Sequence, residues 1–270
     1  MRRAKKNLWG FIVAALAWAA FVFATAAQDF KRPAPTPADW AALAKLPDFT
    51  GVWEVRMGGP PITNPAVGVP PLGRPAPLSL TPEYAAKKKQ LQTDAPDDNQ
   101  SANCLPPGMP GIMAQPYPLE FLLTPGQVTI VIEAYSQVRH IYTDGRPLPS
   151  DPDPSFFGTS IGHWEGNTLV AESVGFSPLT ELEPRTPHSD KMRILERFRL
   201  ADPDTMVIET TITDPEALTA PNTTSRILKR HRSWTIAEYI CEQNNRNFVD
   251  RNGKAGINLT PPGGTASKPQ

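Results

Sequence analysis

The chain reads as an all-β protein. We expect an antiparallel meander of roughly ten strands forming a barrel or a closely related sandwich, preceded by two short helices and a proline-rich segment. Three observations predict this. After residue 119 apolar and polar residues alternate with a period of two. The alternating runs are separated by turn signals, among them Thr124-Pro125-Gly126, Asp144-Gly145, Glu165-Gly166-Asn167 and Ala201-Asp202-Pro203. Third, the 270 residues include 32 prolines, all from Pro33 onward, and a proline inside a helix costs about 3 kcal/mol. Consecutive hairpins without intervening helices make antiparallel neighbours, and about ten strands bury their apolar faces by closing up or by packing as two sheets.

The elements follow in chain order. Arg2, Arg3, Lys5 and Lys6 precede an apolar run over residues 8–23 and the small residues Ala24-Thr25-Ala26-Ala27. This is the pattern of a cleaved signal peptide, residues 1–26, and it predicts an exported protein, periplasmic or secreted. An uncleaved anchor is the competing reading, but the apolar core is short for a span. Ala4-Lys5-Lys6 after the arginine pair points to ordinary rather than twin-arginine export. Cleavage removes four of 27 basic residues and none of the 27 acidic ones, leaving a net charge of −4. That excludes a strongly basic nucleic-acid binder, and no later apolar stretch is long enough for a membrane span.

Residues 27–48 form a linker and a short helix over 37–45, with Thr36 as N-cap and Pro37 in the first turn. A single β domain covers 49–248. It begins with a strand over 49–55, followed by a proline-rich wrapping segment over 57–80 and a second helix over 81–91. Strands are expected over 119–123, 127–133, 138–143, 160–164, 168–174, 192–200, 204–213, 224–232 and, less regularly, 235–241. Residues 249–270 read as a flexible tail. Cys104 and Cys241 are the two cysteines. In an oxidising compartment an even count suits one disulfide, which we weigh above a nucleophilic thiol.

Alternation assigns the faces. Met192, Ile194, Glu196, Phe198 and Leu200 share one side of their strand, so Glu196 is a carboxylate in an apolar row. Arg193, Leu195, Arg197 and Arg199 take the other side. Thr168, Val170, Glu172, Val174 and Phe176 align likewise, placing Glu172 in a second apolar row. A buried carboxylate is costly unless paired, and burial raises its pKa. Such groups serve as general acids or bases, or else pair with an arginine such as Arg139 or Arg197.

Gly158-Thr159-Ser160-Ile161-Gly162 matches the nucleophile-elbow spacing, but no helix follows to build it. A turn or close packing is the better account of its glycines. His140, His163, His188 and His231 show no metal-ligand spacing, so no metal is assigned. His188 lies in Pro187-His188-Ser189-Asp190, directly before the Glu196 strand, where Asp190 would orient the imidazole. Around the turn at Asp144-Gly145, Arg139 or Arg146 would bind a carboxylate, or Asp144 and Arg146 would staple the hairpin. No phosphate loop, dinucleotide fingerprint or haem-attachment pattern occurs, and no cofactor is expected.

Two resemblances arise at these residues. Phe49-Thr50-Gly51-Val52-Trp53 resembles the glycine-x-tryptophan opening of lipocalin-type barrels, which implies a lipocalin-like barrel with the tryptophan plugging one end. From Cys104 to about Phe248 the chain resembles a broad family of uncharacterised exported bacterial β-rich proteins. The matching motifs are Cys104-Leu105-Pro106-Pro107-Gly108-Met109-Pro110, Tyr142-Thr143-Asp144-Gly145-Arg146, Gly162-His163-Trp164-Glu165-Gly166-Asn167-Thr168-Leu169-Val170, Gly175-Phe176, Pro187-His188-Ser189, Glu196-Arg197-Phe198 and Glu238-Tyr239-Ile240-Cys241. The resemblance implies a secreted, cofactor-free β protein. His163 stands where the family usually has arginine. Cys241-Glu242-Gln243-Asn244 replaces a Cys-His-Glu-Gly-Asn run, so any role of a histidine after Cys241 is absent.

The leading expectation is an enzyme without a dissociable cofactor, doing acid–base chemistry (lyase, isomerase or hydrolase) on a small, fairly apolar substrate inside the barrel. Glu196 and His188 would be catalytic, and Tyr142, Arg139, Trp164 and Glu172 would bind substrate. The alternatives are a lipocalin-like carrier of an apolar ligand and a structural envelope protein. Convergence of the buried acids with His188 on one cavity would favour catalysis, an apolar pocket with all acids paired would favour carriage, and a filled interior without a cavity would leave only the structural reading.

Overall fold

The first described element is a helix that the sequence caps from both sides. In α1 (Pro37–Leu43) the Thr36 hydroxyl accepts from the Asp39 amide, and the Asp39 carboxylate accepts from the Thr36 amide at 2.8 Å. The computed structural model describes residues 33–56, 77–94, 104–241, 247–249 and 255–257. The expected signal peptide lies outside these residues, as do most of the proline-rich segment and most of the tail. A second helix, α2 (Pro82–Asp94), buries only Tyr84. No described helix is long and apolar enough to cross a membrane.

Nine strands close a barrel in chain order. They are β1 (Gly51–Val55), β2 (Leu119–Thr124), β3 (Gln127–Ile132), β4 (Gln137–Tyr142), β5 (Thr159–Glu165), β6 (Thr168–Val174), β7 (Arg193–Asp202), β8 (Thr205–Thr213) and β9 (Asn222–His231). β9 returns to β1, pairing Val52 with His231 and Val55 with Leu228. The expected turns at 124–127, 165–168 and 202–205 join antiparallel neighbours.

Three expectations need correction. The meander is not antiparallel throughout: β4 and β5 run parallel, meeting at Ile141↔Ser160 and Tyr142↔Ile161. The connection over 143–158 carries Pro147, Pro149, Pro152 and Pro154. It returns the chain to the end where β4 began instead of reversing it in a hairpin. The strand expected over 235–241 is a strap without strand structure, because β1 already occupies the free edge of β9. The start of the tail instead forms a separate pair, β10 (Asn247–Val249) with β11 (Ala255–Ile257). Asn252-Gly253, a strong hairpin signal, lies between them.

At the end of the barrel where β1 starts, Trp53 is fully buried. Its indole N–H donates to the Phe49 carbonyl at 2.9 Å, and the Arg230 guanidinium lies 4.5 Å above the ring. Arg230 is held there by Asp48 at 2.8 Å. Burial works to raise the Asp48 pKa, but hydrogen bonds from Thr50 and Arg230 outweigh it and hold the carboxyl low. The tryptophan plug expected from the opening motif is therefore fastened by a cation from the last strand.

The opposite end is covered by Tyr84 of α2, by Met109, Ile112 and Met113, and by Leu182 and Leu218. Cys104 and Cys241 form a disulfide with Cα atoms 5.7 Å apart, tying this cover to the strap. Asp214 organises the same end. It is buried, and it accepts from the amides of Ser189 (2.7 Å), Glu216 (3.1 Å) and Ala217 (3.0 Å) and from the Ser189 hydroxyl (2.6 Å). Burial works to raise its pKa, and these four bonds more than reverse that. A depressed folded-state pKa stabilises above the unfolded value, near 3.8, and the contribution is lost as pH falls through the folded value. Asp214→Asn is expected to cost about 2–3 kcal/mol at neutral pH. In urea titrations the gap to wild type should close below pH 3.8; a gap that persists in acid would contradict this account.

Candidate functional site

Alternation builds the interior. Trp53, Phe121, Ile130, Ile141, Leu169, Phe198, Ile208 and Leu228 are fully buried on their strands. Into this apolar interior β4 projects Arg139 and β7 projects Glu196, both with fully buried side chains. The Arg139 Nη2 group donates to Glu196 Oε2. It also reaches the hydroxyls of Ser173 (3.2 Å) and Ser160 (3.4 Å), which lie 2.6 Å from each other. One guanidinium thus spans β4, β5, β6 and β7. Nε and Nη1 of Arg139 and Oε1 of Glu196 meet no hydrogen-bond partner among the described residues.

A second guanidinium enters from β9. Leu228 is fully buried, so Arg226, two residues earlier, shares its inward face. Its register partner on β8 is Ile208, and Glu196 is within its electrostatic reach. Burial pushes the Arg226 pKa down, and the Glu196 charge only partly offsets this. Sequence reading left the faces of β9 unassigned; carrying the alternation back from Leu228 would have found Arg226.

The other expected site residues lie elsewhere. Glu172 is not in an inward row: Leu169, Ala171 and Ser173 are, all fully buried. Glu172 points outward and pairs with Arg193 at 2.5 Å. Tyr142 takes the outer face of β4, opposite to Arg139, with the Arg146 guanidinium 3.7 Å above its ring. Arg146 itself staples the turn through Asp144 at 2.7 Å. Trp164 packs on Phe49 with ring centroids 5.2 Å apart. It stands four residues beyond Ser160 on β5, about 13 Å along the strand, and lines a cleft of about 220 Å³ between α1 and the 124–127 turn.

His188 is half-buried in the connection before β7. Nδ1 lies 2.7 Å from the Ser189 carbonyl, and Nε2 lies 2.8 Å from the Thr180 hydroxyl and 3.0 Å from the Ser177 carbonyl. All three partners belong to its own loop. Asp190 does not orient the ring; it pairs with Lys191 at the surface. The structure therefore does not join Glu196 and His188 in one hydrogen-bonded system. Nor does Ser160 sit on an elbow. A Cβ at Gly158, where φ is +63°, would lie 2.4 Å from the Val174 carbonyl oxygen, and one at Gly162 would lie 2.8 Å from Ile141 Cγ2. Both glycines serve close packing.

Among the described residues no group of three or more His, Cys, Asp or Glu is placed to hold a metal. Fold and site together define a closed β-barrel whose apolar interior carries one buried charged layer. No family model matches the chain, and no curated protein matches it.

Proposed function

We propose that the protein is an exported ligand-binding barrel, taking up a small, mostly apolar organic molecule whose polar group meets the Arg139–Glu196 layer. The observation that carries this reading is the buried pair with three polar atoms that meet no partner among the described residues. A buried ion pair is poor value for stability alone, and each unmet polar atom costs about 1–3 kcal/mol. A ligand's polar group meeting those atoms would offset that cost. Pairing of Glu196 with Arg139 and of Glu172 with Arg193 counts against acid–base catalysis. The Cys104–Cys241 disulfide suits an oxidising compartment such as the periplasm or the extracellular space.

The second reading keeps acid–base chemistry at Glu196, on the specific ground that Oε1 is unclaimed beside the hydrogen-bonded hydroxyls of Ser160 and Ser173. Native mass spectrometry of the mature protein from its own host, followed by extraction, separates the two. A stoichiometric small molecule is expected. An empty protein that turns over small esters, ketones or hydroxylated aromatics, and loses turnover in Glu196→Gln, would replace the carrier with the enzyme.

A further inference from the structure

Trp164, expected from the sequence to bind substrate, does line a cavity, but one outside the buried layer. The cleft of about 220 Å³ has Leu123, Val128 and Trp164 on the barrel side and Asp39, Leu43 and Leu46 on the other. It is partly open to solvent, and Leu43, Leu46, Leu123 and Trp164 are only half-buried along it. A dry apolar cavity of about 150 Å³ holds a benzene molecule, so this cleft has room for an aromatic ring with a short side chain.

Two features bear on what that side chain carries. The helix α1 is seven residues long and buries none of them, and so short a helix is not stable by itself. Its capping box fixes the first turn, but its Leu43 faces the cleft; an apolar guest supplies the packing that the helix lacks. Asp39 is the one charged residue of the twelve that line the cleft. Thr36 donates to its Oδ2 atom through the amide at 2.8 Å and the hydroxyl at 2.7 Å. Those bonds hold the carboxyl below its usual range, and no cation among the described residues pairs with it. The rim of an otherwise uncharged cleft thus carries a standing negative charge.

We infer that the cleft binds a small aromatic amine, its ring between Trp164 and the leucines and its ammonium group at Asp39. The inference does not depend on the carrier reading of the interior. An ammonium group only donates, which suits a carboxylate, and an indole ring also attracts a cation. A neutral alcohol of the same shape keeps the ring contacts and forgoes the charge. A carboxylate of that shape meets a like charge at the rim.

The test titrates the isotopically labelled mature protein with phenethylamine, phenethyl alcohol and phenylacetate, following the Trp164 indole N–H by NMR at low salt. The amine should bind about two- to fivefold more tightly than the alcohol, the range of an exposed ion pair. It should bind about tenfold more tightly than phenylacetate, where attraction gives way to repulsion. Asp39→Asn, which keeps an acceptor for the Thr36 amide, should make the amine and the alcohol equal. Leu43→Ser should weaken both alike by several-fold; circular dichroism and thermal melts report whether each variant is folded. Equal affinity for amine and alcohol in the wild type overturns the amine as the ligand. Binding by none of the three compounds, or binding that leaves the Trp164 signal unmoved, overturns the site itself.

Discussion

Glu196→Ala is expected to destabilise the barrel by about 3–5 kcal/mol, because it leaves a buried guanidinium without its counter-charge. In a domain of this size that corresponds to a fall in Tm on the order of 10 °C. The position of Arg226 adds an asymmetry. Removing Glu196 takes away the carboxylate that pairs with Arg139 and favours the charge on Arg226, whereas Arg139→Met leaves Glu196 to act on Arg226. The arginine variant should therefore lose distinctly less stability than the glutamate variant. The double change Arg139→Met with Glu196→Leu should recover most of the loss, since apolar replacement of a buried pair is often neutral or stabilising. Denaturant unfolding of the three variants checks this ordering. Equal losses in the two single variants would mean that Arg226 does not compensate for Arg139. A stable double variant that no longer retains a small molecule would separate the role of the pair in binding from its role in folding.

The second large effect belongs to the disulfide. Cys104 and Cys241 are 137 residues apart, and closing so long a loop is worth about 4–5 kcal/mol in the chain-entropy account. Replacing both by serine should lower Tm by on the order of 10–20 °C. The loss should be felt first at the strap that ends in Cys241. Away from the disulfide the strap is fastened by Ser136 Oγ to the Tyr239 carbonyl at 2.9 Å, by the Ala237 amide to Glu133 at 2.9 Å, and by Tyr239 ring contacts with Tyr117 and Tyr135. Calorimetry of wild type and the double serine variant measures the effect. A shift of only a degree or two would show that the strap and the cover hold together without the covalent tie.

The barrel itself was legible because one face of most strands is wetted. On β7 the expected row is the buried one from Met192 to Phe198, and Glu196 was picked out as the ion in an apolar row. β6 misled for a physical reason. Val170 and Val174 are nearly as buried on its outer face as Leu169 and Ala171 are inside. Val170 lies between His163 and Arg197 in the sheet, and long side chains such as arginine cover apolar surface. With both faces apolar, Glu172 looked inward. The parallel pairing left no trace in the sequence, since its cause is the course of a proline-rich connection without periodicity. Arg139 was named both in a turn cluster and as a candidate partner for a buried carboxylate, and it is the partner Glu196 has; its spacing from Ile141 puts it on the inner face.

The parallel pairing has a consequence for how the cylinder yields. The backbone ladder joining β4 to β5 contains only two register pairs, the shortest in the barrel. Arg139 bridges the same joint through its side chain, reaching from β4 to the serines of β5 and β6 and to Glu196 on β7. The joint is therefore a zipper whose clasp is the buried arginine. Local opening of a sheet is cheapest where the fewest backbone bonds must break, so the wall parts along this line first, and the force resisting it is largely electrostatic. A guest that competes with Glu196 and the serines for Arg139 would undo the clasp, whereas one that binds only its unused nitrogens would leave it fastened. The residue proposed to meet the guest is the one that keeps the wall shut.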